Sequence, residues 1–281
     1  MIRLAVRVQR EHSELVLAEL LELTPGGLEE SEPQDGIVEY AIYGAPGELP
    51  ALGEVQAAAG EALVTVSTSE LPDDWSERWK RFHHPVLIRS RTDRANLHVR
   101  APWEPPSAQP DTIEIVIDPG QAFGTGGHAS TRMCLELLLE LAELSPGPTK
   151  VLDIGTGSGV LAIAAAKLGF DPVIALDHDP LSVQAARANA AVNDVSVDVR
   201  RIDLRREPIP PAPVVLANLL RPLLLDYARN LTVVPRTLIA SGLLIAEADE
   251  TAAAFGAHGM RERARRQSGE WAAVCLSTVD S

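Results

Sequence analysis

Cysteine is scarce in this 281-residue chain: there are two, Cys134 and Cys275, far apart and outside any CxxC spacing. That excludes a disulfide framework and a cysteine-built zinc site, and it suits a reducing compartment. Long apolar runs are missing as well. The strongest, "VLAIAAA" at 160–166, falls far short of the ~20 residues that span a membrane. The N-terminal "MIRLAVRVQREH" alternates apolar and polar residues and has no apolar core of the kind a secretion signal carries. These absences lead us to expect a soluble, cytoplasmic protein. Internal repeats and low-complexity segments are also lacking. Positive charge is in deficit: 25 Lys and Arg face 39 Asp and Glu, a formal net charge of −14. Such a surface repels the backbone of a nucleic acid and would steer a basic partner, although many acidic surfaces serve no such partner.

What is present suffices for a real core, with 46% hydrophobic and 23% charged residues. Residues 1–68 read as a small unit. "IRLAVRV" alternates at period two, "HSELVLAELLEL" has helical spacing, and "GGLEES" and "GIVEYAIYG" flank a turn at Pro33–Gly36. "LPALGEVQAAAG" is helical and "EALVTVST" closes with a strand, giving the βαββαβ order of a ferredoxin-like α+β domain. Residues 69–84 are expected to form a linker helix with Trp75, Trp79 and Phe82 on neighbouring faces. Residues 85–281 form the larger unit. There "NLHVRA" and "TIEIVID" are strands around a proline-rich loop, and from Lys150 onward strands and helices alternate. That alternation predicts a Rossmann-like α/β fold, a seven-stranded and mostly parallel sheet, closed by an antiparallel hairpin in "RERARRQSGEWAAVCLST".

Two glycine loops stand close together, "DPGQAFGTGGHASTR" at 118–132 and "VLDIGTGSG" at 151–159. The second follows a strand and opens a helix. It lacks the lysine of a Walker loop, and Val160 stands where a dinucleotide-binding GxGxxG needs glycine. Gly155 and Gly157 allow a tight turn and close approach of a ligand, and Asp153 precedes them by two residues. Asp177, at the end of the next strand, is at the distance where an acid accepts ribose hydroxyls. A glycine loop without basic residues fits an adenosine cofactor that carries no phosphate, S-adenosyl-L-methionine. Asp203, after the third strand, is a candidate for the adenine amine, with a solvated loop acid as the alternative. His128 has no second histidine at i+4, so it is read as a cap or prop of its loop and no metal is expected.

The strand–loop–helix context, Asp177 and the terminal hairpin resemble the class I methyltransferase superfamily. Within it, the AFGTG segment, "WSERWKRFHHPVLI", "APWEPP", "ANLL" and "GEWAAVCL" resemble the PrmA family, the methyltransferases of ribosomal protein L-eleven (L11). The resemblance implies that Thr131 contacts the cofactor, that Phe123 packs near it, and that the two loops clamp one ligand. In related amine methyltransferases an asparagine at the end of the fourth strand starts an N-P-P-aromatic motif whose side-chain oxygen and a following carbonyl hold the acceptor nitrogen. Here the residues are Asn218, Leu219, Leu220 and Arg221. By resemblance Asn218 and Leu219 carry the chemistry, Asn218 also bordering the cofactor. The missing aromatic disfavours a flipped base as substrate.

The partner implied is ribosomal protein L-eleven, free or on the assembling large subunit, methylated on lysine side chains, the N-terminal α-amine or both, up to trimethyl. The small N-terminal unit would recognise it. The sequence departs from the family pattern at Gly127, Ala129 and Ser130, changes that would loosen the clamp but leave Thr131 in place. Other acceptors on the same fold (another protein, a small molecule, a nucleic acid) stay open, as does a ribosome-associated binding module without turnover. An NAD-dependent oxidoreductase is opposed by Val160.

Overall fold

The computed structural model describes residues 2–24, 28–34, 36–44, 49–70, 84–90, 95–119, 126–144 and 148–278. Most of the expected linker helix, with Trp75, Trp79 and Phe82, and the candidate Phe123 lie outside the described residues. The chain divides into two compact units, Met1–Phe82 and His83–Ser281.

The first unit contains β1 (Ile2–Gln9), α1 (Ser13–Leu23), β2 (Glu29–Gln34), β3 (Ile37–Gly44), α2 (Leu52–Ala59) and β4 (Leu63–Glu70). The sheet order is β2-β3-β1-β4, with every neighbouring pair antiparallel. This is the ferredoxin-like arrangement expected from the element order. Alternation decides which face is covered: Leu4, Val6 and Val8 of β1 and Val38, Tyr40 and Ile42 of β3 join Val16, Leu20 and Val55 in one core. The opposite face is polar, where Arg3 and Arg7 both bind the carboxylate of Glu39. β4 runs to Glu70, two residues past the boundary expected at 68.

The second unit opens with a three-stranded sheet of β5 (Val86–Ile88), β6 (Asn96–Arg100) and β7 (Thr112–Val116). It continues through α3 (Ala129–Leu144), β8 (Val151–Ile154), α4 (Val160–Lys167), β9 (Val173–Asp177), α5 (Pro180–Val192), β10 (Asp198–Arg201) and β11 (Val214–Asn218). The chain then forms α6 (Arg221–Arg229), β12 (Thr237–Leu244), α7 (Ala248–Gly256), β13 (Met260–Ser268) and β14 (Trp271–Thr278). The last seven strands form one sheet in the order β10-β9-β8-β11-β12-β14-β13. β8 to β12 pair in parallel, and β14 runs antiparallel to both β12 and β13.

Both faces of this sheet are buried, as the near-continuous apolar strands require. Val151, Val173, Val214 and Ile239 lie in the cluster that includes α3, α4 and α5. Leu152, Ile174, Val215 and Leu238 lie in the other, with Leu224 of α6 and Phe255 of α7. α4 is buried continuously from Val160 to Ala165, which explains its lack of a polar face. α5 starts on a built cap: the Asp179 carboxylate accepts from the Leu181 and Ser182 amides, and Pro180 occupies the first turn. The chain changes direction across the sheet between β8 and β11, so a crevice is expected at their C-terminal ends.

Candidate active site

The loop after β8 is drawn back over β9. The Gly155 and Thr156 amides both donate to the Leu176 carbonyl, at 2.8 and 2.9 Å. Gly155, Gly157 and Gly159 have φ of +70°, +55° and +86°. At Gly155 a second constraint applies: a Cβ there would sit 2.3 Å from Cδ2 of Leu219. The glycine loop and the residue after Asn218 are thus packed directly against each other.

Asp177 at the end of β9 organises the loop. Its Oδ2 accepts from the Gly157 amide at 2.9 Å and its Oδ1 from the Asp179 amide at 3.0 Å. These two bonds hold the carboxylate at the sheet edge while leaving it further lone pairs. Asp153 is fully buried; its Oδ2 accepts from the Thr156 hydroxyl at 2.6 Å, and its Oδ1 has no hydrogen-bond partner. Burial pushes its carboxyl up to about 7, against the pull of the Thr156 hydroxyl.

Asn218 ends β11 beside β8, and its Nδ2 donates to Oγ1 of Thr131 at 3.2 Å. Thr131 is buried in the first turn of α3. Candidates 87 residues apart, one from the 118–132 segment and one from the end of β11, therefore meet. With the amide nitrogen engaged there, Oδ1 of Asn218 faces another way and receives no hydrogen bond from the described residues. The Leu219 amide donates to the Ser241 carbonyl at 3.0 Å. A Cβ at Gly242, whose φ is +78°, would lie 2.6 Å from the Leu219 carbonyl oxygen. Gly242 was missed from sequence; the available signal is a glycine in mid-strand, which marks a close backbone approach.

His128 caps α3. Its carbonyl accepts from the Arg132 amide at 3.1 Å, and its Nδ1 is 2.7 Å from the Ser130 hydroxyl and accepts from the Ser130 amide at 3.3 Å. Its ring packs edge-on against Trp271, with centroids 4.7 Å apart, and burial lowers its pKa. Ser130, one of the family departures, is thus part of the cap. Among the described residues no three His, Cys, Asp or Glu side chains gather to hold a metal ion.

Asp203 follows β10 at the same sheet edge, and its carboxylate bonds within its own turn. Oδ1 accepts from the Arg205 amide at 3.0 Å, and Oδ2 lies 3.5 Å from Nε of Arg206. Its side chain is 39% exposed. Arg221 is drawn to the start of α7, where it pairs with Glu247, the residue before the helix, and with Glu250 at 3.2 and 2.8 Å.

A sheet in this strand order, with a glycine loop and an acid at the ends of β8 and β9 and an asparagine at the end of β11, defines a class I S-adenosylmethionine-dependent methyltransferase. The residues present fit that cofactor: acceptors line the loop and the end of β9, and a buried carboxyl oxygen of Asp153 has no partner among the described residues. The sequence model of the family described as ribosomal protein L11 methyltransferase (PrmA) matches residues 47–278, and the chain belongs to that family.

A ribosomal protein L11 methyltransferase of Pelobacter propionicus is 40% identical over 72% of this chain and 66% of its own length. One from Syntrophotalea carbinolica is 39% identical over 77% of this chain and 70% of its own. The chain thus spans about two thirds of the length of these curated relatives. A solved ribosomal protein L11 methylase from Lactobacillus delbrueckii subsp. bulgaricus is 30% identical, with a TM-score of 0.58, covering 68% of this chain and 98% of that one.

Proposed function

We propose that this chain transfers methyl groups from S-adenosylmethionine to amino groups of ribosomal protein L11: lysine side chains, the N-terminal α-amine or both, up to trimethyl. The observation that carries the site assignment is the Asn218–Thr131 contact at the point where β8 and β11 diverge. Family membership supports the substrate.

When bound, the cofactor supplies a methyl group on a positively charged sulfur. The protein's part is to hold an amine lone pair in line with it. Asn218 is fixed through Nδ2, so Oδ1 is available to accept an N–H of the acceptor amine. The Leu219 carbonyl, which lies against Gly242 while the Leu219 amide bonds the Ser241 carbonyl, is the second acceptor. For the first transfer two fixed acceptors orient the two N–H groups of one nitrogen, and holding reactants in attack geometry removes ~7–11 kcal/mol of barrier. A lysine must first lose its proton, at a cost of roughly 4–5 kcal/mol near neutral pH, whereas an α-amine starts near ~8 and costs much less. Enclosure beside a positive charge lowers an amine's pKa further. Thr131, Asp153, Gly155, Gly157 and Asp177 are assigned to the cofactor, Asp203 to its adenine end and Phe123 to its methionine end.

Residues 1–68 are assigned to recognition of the protein substrate, followed by a connecting segment at 69–84 and the catalytic domain at 85–281. The acidic surface, with a net charge of −14, suits a basic substrate. The described residues include no helix long and apolar enough to cross a membrane, and we assign the activity to the cytoplasm.

The test is methyl-labelled cofactor in extract from a strain lacking this protein, with products separated on a protein gel. A nuclease-resistant labelled band at the mass of L11 is expected. Label destroyed by ribonuclease would move the substrate to RNA and overturn the reading.

A further inference from the structure

We infer that Asn189 is a positioning residue that ties the two glycine-rich segments of the site to each other, an inference that rests on the cofactor assignment above. Asn189 lies on α5, and only 3% of it is exposed. Its Oδ1 accepts from the amide of Asp118, the first residue of the 118–132 segment, at 3.0 Å. Its Nδ2 donates to the carbonyl of Ser158, inside the second glycine loop, at 2.9 Å. One carboxamide thus bridges backbone groups of both segments, although they are separated in sequence by α3 and β8.

The bridge has a rigid base. α5 begins three residues after Asp177, whose carboxylate holds the Gly157 amide. Where α5 passes Gly159, a Cβ on that glycine would come within 3.1 Å of the Ala186 Cα. The helix and the second loop are therefore packed backbone against backbone. One turn further along, the Asn193 carboxamide mimics a neighbouring strand. Its Oδ1 accepts from the Val116 amide at 2.9 Å, and its Nδ2 donates to the Val116 carbonyl at 2.6 Å and the Asn189 carbonyl at 2.8 Å. Asn193 fixes the end of β7, and Asn189 then sets where the 118–132 segment departs relative to the second loop.

Only a carboxamide of this length offers an acceptor to one side and a donor to the other. Aspartate keeps the acceptor but turns a second oxygen toward the Ser158 carbonyl. Leucine keeps the volume and loses both bonds. Sequence reading did not single out either asparagine; the signal was two asparagines at i and i+4 in an alanine-rich helix, "ARANAAVN".

The test is calorimetric binding of S-adenosylhomocysteine to the full chain and to Asn189→Leu, Asn189→Asp and Asn193→Leu. Both Asn189 variants are expected to raise Kd at least tenfold while keeping one site per folded chain. Asn193→Leu, which frees Val116 but leaves the bridge, is expected to lower Tm with Kd within about threefold of the parent. Merely structural damage lowers the number of sites per chain and leaves Kd alone, and that result at Asn189 would overturn the inference. So would wild-type affinity in Asn189→Asp, which also serves alone if the leucine variant does not fold. A parent chain that fails to bind S-adenosylhomocysteine would overturn the cofactor assignment and this inference with it. A parent that binds, with unchanged variants, overturns the bridge alone.

Discussion

Asn218 donates its amide hydrogen to the Thr131 hydroxyl at 3.2 Å, joining the end of β11 to the first turn of α3. On the assignment proposed above, that bond sets which end of the carboxamide meets the acceptor amine. Asn218→Ala removes the oxygen altogether and is expected to cut turnover by a hundredfold or more, with S-adenosylhomocysteine affinity changed by less than about threefold. Thr131→Val keeps the shape and loses the oxygen partner, so the Asn218 amide is free to rotate; a loss of about tenfold in kcat is expected. Single-turnover methyl transfer checks both. Full activity in Asn218→Ala would remove this residue from the chemistry.

Gly242 carries the position of the Leu219 carbonyl. A Cβ there would lie 2.6, 2.8 and 3.0 Å from the O, C and N atoms of Leu219, all of them backbone. No rotamer change relieves such a contact, and the φ of +78° disfavours any side chain. Gly242→Ala is expected to cost about 1–3 kcal/mol of stability. It should also displace the Leu219 carbonyl, lowering kcat more than it raises the cofactor KM. Denaturant unfolding together with steady-state kinetics measures both. Unchanged kcat in a destabilised variant would show that the Leu219 carbonyl does not hold the acceptor.

Much of this site is legible in sequence because its residues stand where chain elements change. Gly155, Gly157 and Asp177 punctuate strand ends, and Asn218 ends a strand before a helix with Pro222 in its first turn. Local pattern reveals such points. It does not reveal partners distant in sequence: Gly242 looks like a weak spot in a strand until Leu219 is seen against it, and Asn189 looks like an indifferent helix residue until both loops meet it. Asp203 shows the converse, since its place at the sheet edge was readable but the capture of its carboxylate by Arg205 and Arg206 was not. The strand order likewise emerges only in three dimensions, where β14 inserts between β12 and β13.

Asp153 predicts a pH dependence of stability. Burial, with a smaller contribution from the charge of Asp177, raises its carboxyl to about 7; the Thr156 hydroxyl and, short of hydrogen-bonding geometry, the Ala162 amide oppose the rise. In the unfolded chain the group titrates near ~3.9. Between these values the folded state holds a proton that the unfolded state has released, so stability falls as pH rises. The contribution is fully present below the unfolded pKa and is lost as pH passes through about 7. Its size is on the order of a few kcal/mol. The ligand-free chain should therefore lose Tm between pH 5 and pH 8, and Asp153→Asn should flatten that slope. Parallel slopes in the two proteins would show that Asp153 is ionised throughout.

The proposed division of recognition and catalysis between the two compact units is testable. Each has its own buried core, Leu4, Val6 and Leu20 in one and the two faces of the seven-stranded sheet in the other. The groups assigned to the cofactor and to the acceptor nitrogen all lie in the second unit. Deleting residues 1–68 is therefore expected to leave S-adenosylhomocysteine binding within about threefold of the full chain, while methylation of intact L11 falls a hundredfold or more through a raised KM for the protein. Raising the L11 concentration should restore part of the rate, because the acceptor groups remain in place. Calorimetry and steady-state methylation measure the two effects separately. Undiminished methylation by the truncated chain would place recognition in the catalytic unit, and loss of cofactor binding would show that the first unit supports the fold of the second.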